Sequence, residues 1–373
     1  MKLLLILLLL LPLPVQAESL NESITQVVEG LDLSALEDTL LKEDPLSATG
    51  GFAATVTAIA QGELTLSFDQ VMDMLISHFF AAAKTSLWRL TRLMAPAMLW
   101  SLLRHLTGKS SEAGKAVCYL IVCVFLTQDL TEHIALCTAS MEKISSGMQG
   151  LFPLLLTLMA AVGGNAGSTL MQPAVVAAAG SMTAFIRHVT LPLATMAAVV
   201  TMLCHLGEGI KLSRLASLFH QAATWTLGLC FTAFIGVLAT RGVTAAAVDG
   251  VTLRTAKYAL DNLIPVVGGL FADTVDTLVG SSMLVQSALG VTGLILIVGW
   301  AMAPLCQTLA AALMYQLTSA LMQPIADGEL ARCIHDFSRV LMLLFIIQLC
   351  TAAMFILLIA QLIAVSGMTM MLR

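Results

Sequence analysis

Long hydrophobic segments separated by short polar ones fill the chain from about residue 89 to its end. A helix needs about 20 mostly apolar residues to cross the hydrocarbon core of a bilayer. Several of the segments are short or interrupted, so the sequence predicts about seven to nine transmembrane helices. The candidate segments are 89–106, 116–127, 150–163, 170–187, 189–206, 224–240, 284–303, 304–322 and 341–365.

The first of these segments is the least regular, because Arg89, Arg92 and Arg104 interrupt it. Arginine can bury its aliphatic stem in an apolar layer while its charged head reaches the interface. We therefore interpret 89–106 either as a poor span or as an interfacial helix. Ionisable residues are otherwise scarce within the predicted spans, which argues against a proton-coupled carrier.

The N-terminal part of the chain has a different pattern. Lys2, the apolar run 3–11 and the small-residue site at 15–17 predict a signal peptide over residues 1–17, cleaved after Ala17. Residues 18–88 follow as an acidic region with amphipathic helical spacing and a Gly50-Gly51 break, which indicates a small extracytoplasmic helical region. Residues 89–373 form the predicted multi-span transmembrane domain.

Composition agrees with this division. Hydrophobic residues make up 58% of the chain and charged residues 11%, whereas soluble domains have about 25% charged residues. The formal charge of −5 excludes electrostatic binding of nucleic acid as the main activity. Most of the eight cysteines lie in apolar runs and are interpreted as packing residues, while Cys137 and Cys333 are assigned to polar loops, where they are the one pair that could form a disulfide. The predicted fold is an all-α polytopic transmembrane bundle with a signal peptide.

Charge placement predicts the orientation. Basic residues exceed acidic ones near 104–115 and 207–223, whereas the segments 128–149, 241–283 and 323–340 are acidic on balance. Cytoplasmic loops carry the excess of Lys and Arg. We therefore expect the N-terminus to be extracytoplasmic and segment 241–283 to be an outer amphipathic segment.

Two segments supply candidate functional residues. The first is the interruption at 163–167, whose candidates are Gly163, Gly164 and Gly167. It is either a tight turn between packed helices or a break that lines a cavity. The second is 249–277, where apolar positions at helical spacing alternate with charges; it is either an outer hairpin that docks on partner proteins or caps a pore, or an interfacial amphipathic helix. Its candidates are Asp249, Arg254, Lys257, Tyr258, Asn262, Pro265, Asp273 and Asp276.

The run from Asp249 to Thr277 closely resembles the signature region of the stage III sporulation protein AE family of endospore-forming bacteria. The signal peptide, the acidic region, the break near residue 163 and the terminus Thr369 to Arg373 have counterparts in the same order. The resemblance therefore covers nearly the whole chain.

The resemblance implies a multi-pass subunit in the mother-cell membrane that surrounds the forespore. Its implied partners are other stage III sporulation membrane subunits, a mother-cell ATPase and a forespore membrane partner protein, in an assembly that has the likeness of a secretion system and sustains late forespore gene expression. The resemblance implies no catalytic residue, cofactor or metal.

Three kinds of function remain open: a scaffolding membrane subunit, a permease-like subunit that itself forms the conduit for small molecules or ions, and an intramembrane enzyme. The enzyme is the least favoured. Gly108-Lys109-Ser110 imitates the end of a phosphate-binding loop, but Leu103 stands where that motif needs glycine. We expect no enzyme activity.

Overall fold

The computed structural model describes residues 24–28, 30, 51–62, 68–107, 112–161, 166–204, 212–263, 268–324 and 328–371. Within these ranges, the surroundings of the side chains are not described for residues 63–70, 100–113, 159–175, 240–279 and 364–373, nor for a few single positions. The described residues are almost entirely helical. The predicted signal peptide, 1–17, lies outside them, and the extracytoplasmic location of 18–88 stays a prediction.

Within the described ranges, eight α-helices follow a short helical segment at 24–28. In chain order they are α1 (Phe52–Ala60), α2 (Phe68–Thr107), α3 (Glu112–Ala161), α4 (Ala166–Phe185), α5 (Leu191–Cys204), α6 (Ser213–Leu263), α7 (Gly268–Met322) and α8 (Gly328–Met371). A π-helical turn, Ile186–Thr190, joins α4 to α5 without a break.

The helices continue through polar positions that the hydropathy pattern treats as loops. In lipid, a helix satisfies its own backbone groups, so leaving the helical state is costly. Threonine hydroxyls also find their hydrogen-bond partners within the helix: Thr127 and Thr351 each donate to the backbone carbonyl four residues earlier. Prolines do not end the helices either, since Pro96, Pro153 and Pro304 lie inside α2, α3 and α7.

The described residues contain five helices long and apolar enough to cross a membrane, which confirms the all-α membrane-spanning class. They are Ala116–Leu158, Val176–Cys204, Ser213–Ala239, Gly280–Met322 and Leu330–Ile363. Three predicted pairs of spans each fall mostly in one of these helices and not in two: 116–127 with 150–163, 170–187 with 189–206, and 284–303 with 304–322. Segment 89–106 lies within α2, which is not among the five.

The predicted outer loop 128–149 is wrong, because α3 runs through it without interruption. Its polar residues are used in contacts between helices. Asp129 and Glu132 pair with Arg89 of α2, and Glu142 pairs with Arg187 at 2.5 Å. Similarly, 328–340 is the first part of α8.

Helices α3, α7 and α8 form the centre of the bundle, and α7 packs most extensively on α8. Small residues permit this close approach. A Cβ atom on Gly147 of α3 would lie 2.1 Å from the Trp300 ring of α7, and one on Gly290 would lie 2.5 Å from Ile363 of α8. Closely packed glycines of this kind are typical of helix interfaces in membranes.

The cysteines are all free. Cys137 and Cys333 are buried within α3 and α8, so their assignment to polar loops is wrong. Cys137 lies beside Gln348, fifteen positions along α8 from Cys333. At a rise of 1.5 Å per residue that separation is about 22 Å, which excludes a disulfide between the two.

Candidate functional site

The residues that the sequence singled out do not come together as a described site. Gly163, Gly164 and Pro265 lie outside the described residues. Gly167 lies in the first turn of α4. The other candidates lie on two helices, at positions where the surroundings of the side chains are not described: Asp249, Arg254, Lys257, Tyr258 and Asn262 on α6, and Asp273 and Asp276 on α7. Their roles stay predictions.

The structure brings together a different group of polar residues, which we name the charge cluster: Arg89 of α2, Asp129, Glu132 and His133 of α3, and Tyr315 of α7. The Arg89 guanidinium lies 2.6 Å from Glu132 Oε1 and 3.4 Å from Asp129 Oδ1. Its Nη1 also lies 3.3 Å from His133 Nε2. The Tyr315 hydroxyl donates a hydrogen bond to Asp129 Oδ2.

The α3 side of the cluster follows from helical spacing. Residues three and four positions apart lie on one face of a helix. Asp129, Glu132 and His133 have this spacing, so one arginine on a neighbouring helix can contact all three side chains. Arg89 reaches them because Leu93 and Ser86 of α2, one turn to either side, are buried against the bundle.

The cluster is mostly shielded from solvent. The side chains of Arg89 and Asp129 are only 17% and 12% exposed, and His133 is buried, whereas the Glu132 side chain is 54% exposed. The Tyr315 ring packs edge-on against Phe337 of α8, with 5.0 Å between the centroids. The cluster therefore connects α2, α3 and α7 and is backed by α8.

Charge is not balanced within the cluster. With a neutral histidine, two carboxylates face one guanidinium, which leaves one negative charge in excess. The second arginine of α2, Arg92, is not bonded to these carboxylates; its guanidinium carbon lies 5.0 Å from the centroid of the Phe125 ring. His133 Nδ1 is buried and has no hydrogen-bond partner.

A buried ion pair is costly to form and more costly to break. Removing one partner of a buried pair typically costs about 3–5 kcal/mol, because the other charge stays buried without compensation. Ionisable residues at membrane depth are rare and mark functional or structural sites. The charge cluster is thus the strongest candidate site among the described side chains.

Sequence reasoning missed this cluster because it treated each partner separately. Arg89 was interpreted as a snorkelling residue, and Asp129 and Glu132 as acids of an outer loop. Two signals were available: an arginine inside an apolar segment, and two acids with a histidine at helical spacing. What the sequence did not supply was the pairing of α2 with α3.

A second polar contact ties α3 to α5 and α8. The hydroxyl of Tyr119 on α3 donates to the backbone carbonyl of Met202 on α5 at 2.5 Å and lies 3.5 Å from Cys333 Sγ on α8. Within the described part of the chain, no three His, Cys, Asp or Glu side chains are grouped so as to hold a metal ion.

These features define a polytopic α-helical membrane protein. The family model for stage III sporulation protein AE (spore_III_AE) matches residues 51–366, and the chain belongs to this family. The predicted resemblance to this family is thereby confirmed over residues 51–366.

The chain is also 28% identical to stage III sporulation protein AE of Bacillus subtilis (strain 168) over 263 residues, 70% of this chain and 66% of the relative. The matched part is thus slightly less than two thirds of that relative's length. No solved structure matches the chain.

Proposed function

We propose that this chain is a membrane subunit of the transport or secretion-like complex that links mother cell and forespore, and that late forespore gene expression requires it. The observation that carries the proposal is the family match over 51–366, which includes all five candidate membrane helices. A role in sporulation follows from the family; the complex is the specific form proposed for it.

In this proposal the chain acts by packing its helices against other stage III sporulation membrane subunits in the mother-cell membrane around the forespore. A mother-cell ATPase and a forespore membrane protein complete the assembly. The N-terminus is extracytoplasmic after removal of residues 1–17. The chain itself catalyses no reaction.

Deletion of the chain from its sporulating cells tests the proposal. We expect a late forespore reporter to fall strongly while an early forespore reporter, as the control, is unchanged. A tagged chain should co-purify with other stage III membrane subunits from mother-cell membranes. Full late expression without the chain would contradict the proposal, and a single polar substitution that abolished function in an intact assembly would contradict the non-enzymatic role.

A second candidate function, a conduit formed by the chain itself, has one specific observation in its favour. The central helices α3, α7 and α8 carry buried polar atoms without a protein partner, on His133, Gln286, Trp300 and Gln348. Buried polar groups are normally hydrogen-bonded to protein or to ordered water. Water among these three helices would provide the partners and begin a polar path.

Thiol labelling separates the two candidates. In a chain whose native cysteines are replaced by serine or alanine, a conduit predicts that Gln348→Cys, at a buried position of α8, reacts with a membrane-impermeant thiol reagent as Gly163→Cys and Gly167→Cys do. A scaffold predicts no reaction at Gln348→Cys, and loss of partner co-purification when Arg254, Lys257 or Asp273 is changed to alanine. Reaction at Gln348→Cys with co-purification intact would favour the conduit.

A further inference from the structure

Contacts between α3 and α7 show which of their residues lie at the same height in the bundle. Asp129 of α3 faces Tyr315 of α7, and Leu151 of α3 faces Gly293. Both pairs are separated by 22 positions on their helices, so α3 and α7 run antiparallel in a regular register. Position along α3 can therefore serve as a scale of height in the bundle.

Helix α2 lies along the second half of α7. Arg89 is level with Tyr315 through their shared partner Asp129, and the Leu75 carbonyl lies 4.0 Å from Cys306 Sγ. Going from residue 75 to residue 89, α2 thus moves along α7 in the same direction. This part of α7 belongs to the candidate span Gly280–Met322.

The contact face of α2 is narrow and regular. Phe79, Ala82 and Ala83 pack against Met302, Cys306 and Ala310 of α7. From Phe79 to Pro96 the buried or half-buried positions of α2 recur every three to four residues, as expected for a helix with one packed face, whereas 71–78 are all exposed.

The remaining surface of α2 is exposed and largely apolar. Its large exposed side chains are Val71, Met72, Met74, Leu75, Ile76, Phe80, Leu87, Trp88, Met98 and Leu99. Trp88 is 71% exposed. A face of this length and composition in water would be an interaction surface.

Exposed apolar residues on α3 and α7 occur at the height of the second half of this face. On α3 they are Val117, Leu120, Ile121 and Val124, and on α7 they are Leu313, Leu317 and Leu321. By contrast, α7 has no exposed residue between 280 and 300. The exposed large apolar residues of α7 are therefore confined to 313–321.

The length of the exposed apolar face of α2 matches a bilayer. From Val71 to Leu99 is 28 residues, or about 42 Å at 1.5 Å per residue. A bilayer with its interfacial regions is about 40–45 Å thick. Arg89 of the charge cluster lies four residues, or about 6 Å, from the middle of this length.

Most polar groups on the exposed face of α2 are satisfied within the helix. Ser77 and His78 both bond to the Met74 carbonyl, Thr85 donates to Ala81 and Thr91 donates to Trp88. Polar side chains that bond their own helix are compatible with lipid, where no water is available. Asp73 and Lys84 are charged and exposed; Asp73 lies within one turn of the end of the face at Val71, whereas Lys84 lies near its middle.

We infer that residues 71–99 of α2 lie within the bilayer, with their exposed face covered by lipid acyl chains and the charge cluster at mid-depth. Helix α2 is then a further membrane helix, and the boundary between the extracytoplasmic region and the membrane domain moves from residue 88 to near residue 70. The sequence did not indicate this because Asp73, His78, Lys84, Arg89 and Arg92 lower the hydropathy of the segment. The inference does not depend on the sporulation role.

Tryptophan quenching tests the inference on the full-length chain in phosphatidylcholine vesicles. Fluorescence quenching by brominated phosphatidylcholine and by aqueous iodide is compared between the native chain and single Trp→Phe variants. Trp88→Phe is the test. Trp225→Phe is the lipid-facing control on α6, 71% exposed, and Trp300→Phe is the buried control, 6% exposed.

We expect Trp88→Phe to remove a fluorescence component that brominated lipid quenches and iodide does not, as Trp225→Phe should also do. Trp300→Phe should remove a component that neither agent quenches. Bromines near the chain ends should quench the Trp88 component more strongly than bromines near the glycerol. Quenching of this component by iodide would place α2 in water, and quenching by neither agent would mean that protein covers it. Stronger quenching by bromines near the glycerol would place α2 at the interface. Each of these three results would overturn the inference.

Discussion

The two halves of α7 are both apolar, yet they have different surroundings. Residues 280–300 have no exposed position, whereas 301–322 expose Leu313, Leu317 and Leu321 at intervals of one helical turn. The first half has glycines against α3 and α8, at 290 and 293, and the second half has leucines facing outward. Hydropathy gives both halves the same description, because it measures the apolar character of a helix and not what surrounds it.

The comparison shows why one long helix was predicted as two spans. A continuous helix of this length exceeds the thickness of a bilayer, so only part of it can face lipid. The other part can be equally apolar if neighbouring helices cover it. Four substitutions, three of them with matched control variants, test this difference and the contacts around it, in order of expected effect.

The largest effect is expected from breaking the charge cluster. Arg89→Leu leaves Asp129 and Glu132 without their cation and should lower the free energy of unfolding by about 3–5 kcal/mol. Thermal unfolding in detergent or lipid measures this loss. Lys84→Leu is the matched control, since it removes a cation from the exposed face of the same helix. Equal destabilisation by the two changes would contradict a role for the cluster in stability.

Leucine truncation compares the halves of α7 directly. Leu289 is fully buried, so Leu289→Ala should cost about 2–5 kcal/mol through lost contacts and a residual cavity. Leu317 is 47% exposed, and Leu317→Ala should cost much less. The measurement is again the unfolding free energy. Similar losses at both positions would mean that the second half is covered by protein as well.

A smaller effect is expected from Gly147→Ala at the boundary between the halves. The new Cβ atom would lie 2.1 Å from the Trp300 ring, and such overpacking costs about 1–3 kcal/mol. Gly228→Ala on α6 is the control, because nothing lies within 4 Å of its Cβ position. Replacing glycine with alanine in a helix interior there should be neutral or stabilising by up to about 1 kcal/mol. An unfolding midpoint for Gly147→Ala at or above that of Gly228→Ala would contradict the tight contact.

The smallest effect is expected from Tyr119→Phe. The change removes a hydrogen bond to the Met202 carbonyl and keeps the ring, so the loss should be about 0.6 kcal/mol, a typical value for hydrogen bonds between membrane helices. Thermal unfolding in parallel with the native chain is sufficient to detect it. A loss as large as that of Arg89→Leu would show that Tyr119 has a role beyond this bond.

The sequence predicted the fold class and the family well, because both depend on extended patterns. Apolar runs and low charge define a membrane bundle whatever the contacts are, and the 249–277 motif is long enough to be specific. The boundaries of the helices were predicted less well. Polar positions such as Glu142 and Arg187 lower the hydropathy locally, although they pair with each other across two continuous helices.

The charge cluster could not be predicted from periodicity alone. The spacing of Asp129, Glu132 and His133 shows that they share a face, but the identity of the facing helix depends on tertiary packing. Arg89 lies 40 positions before Asp129 in the sequence and contacts it only because α2 packs between α3 and α7. The candidates at Gly163 and in 249–277 stay predictions that labelling and co-purification will test.

The central claim is that lipid covers the second half of α7 and not the first, and imaging of the full-length chain in a lipid nanodisc tests it most directly. We expect the disc density to surround the bundle from the height of Val117 to the height of Trp300, with α2 inside the disc and residues 280–300 of α7 outside it and enclosed by protein. A disc centred on residues 280–300, with residues 71–88 of α2 in the aqueous phase, would contradict the claim.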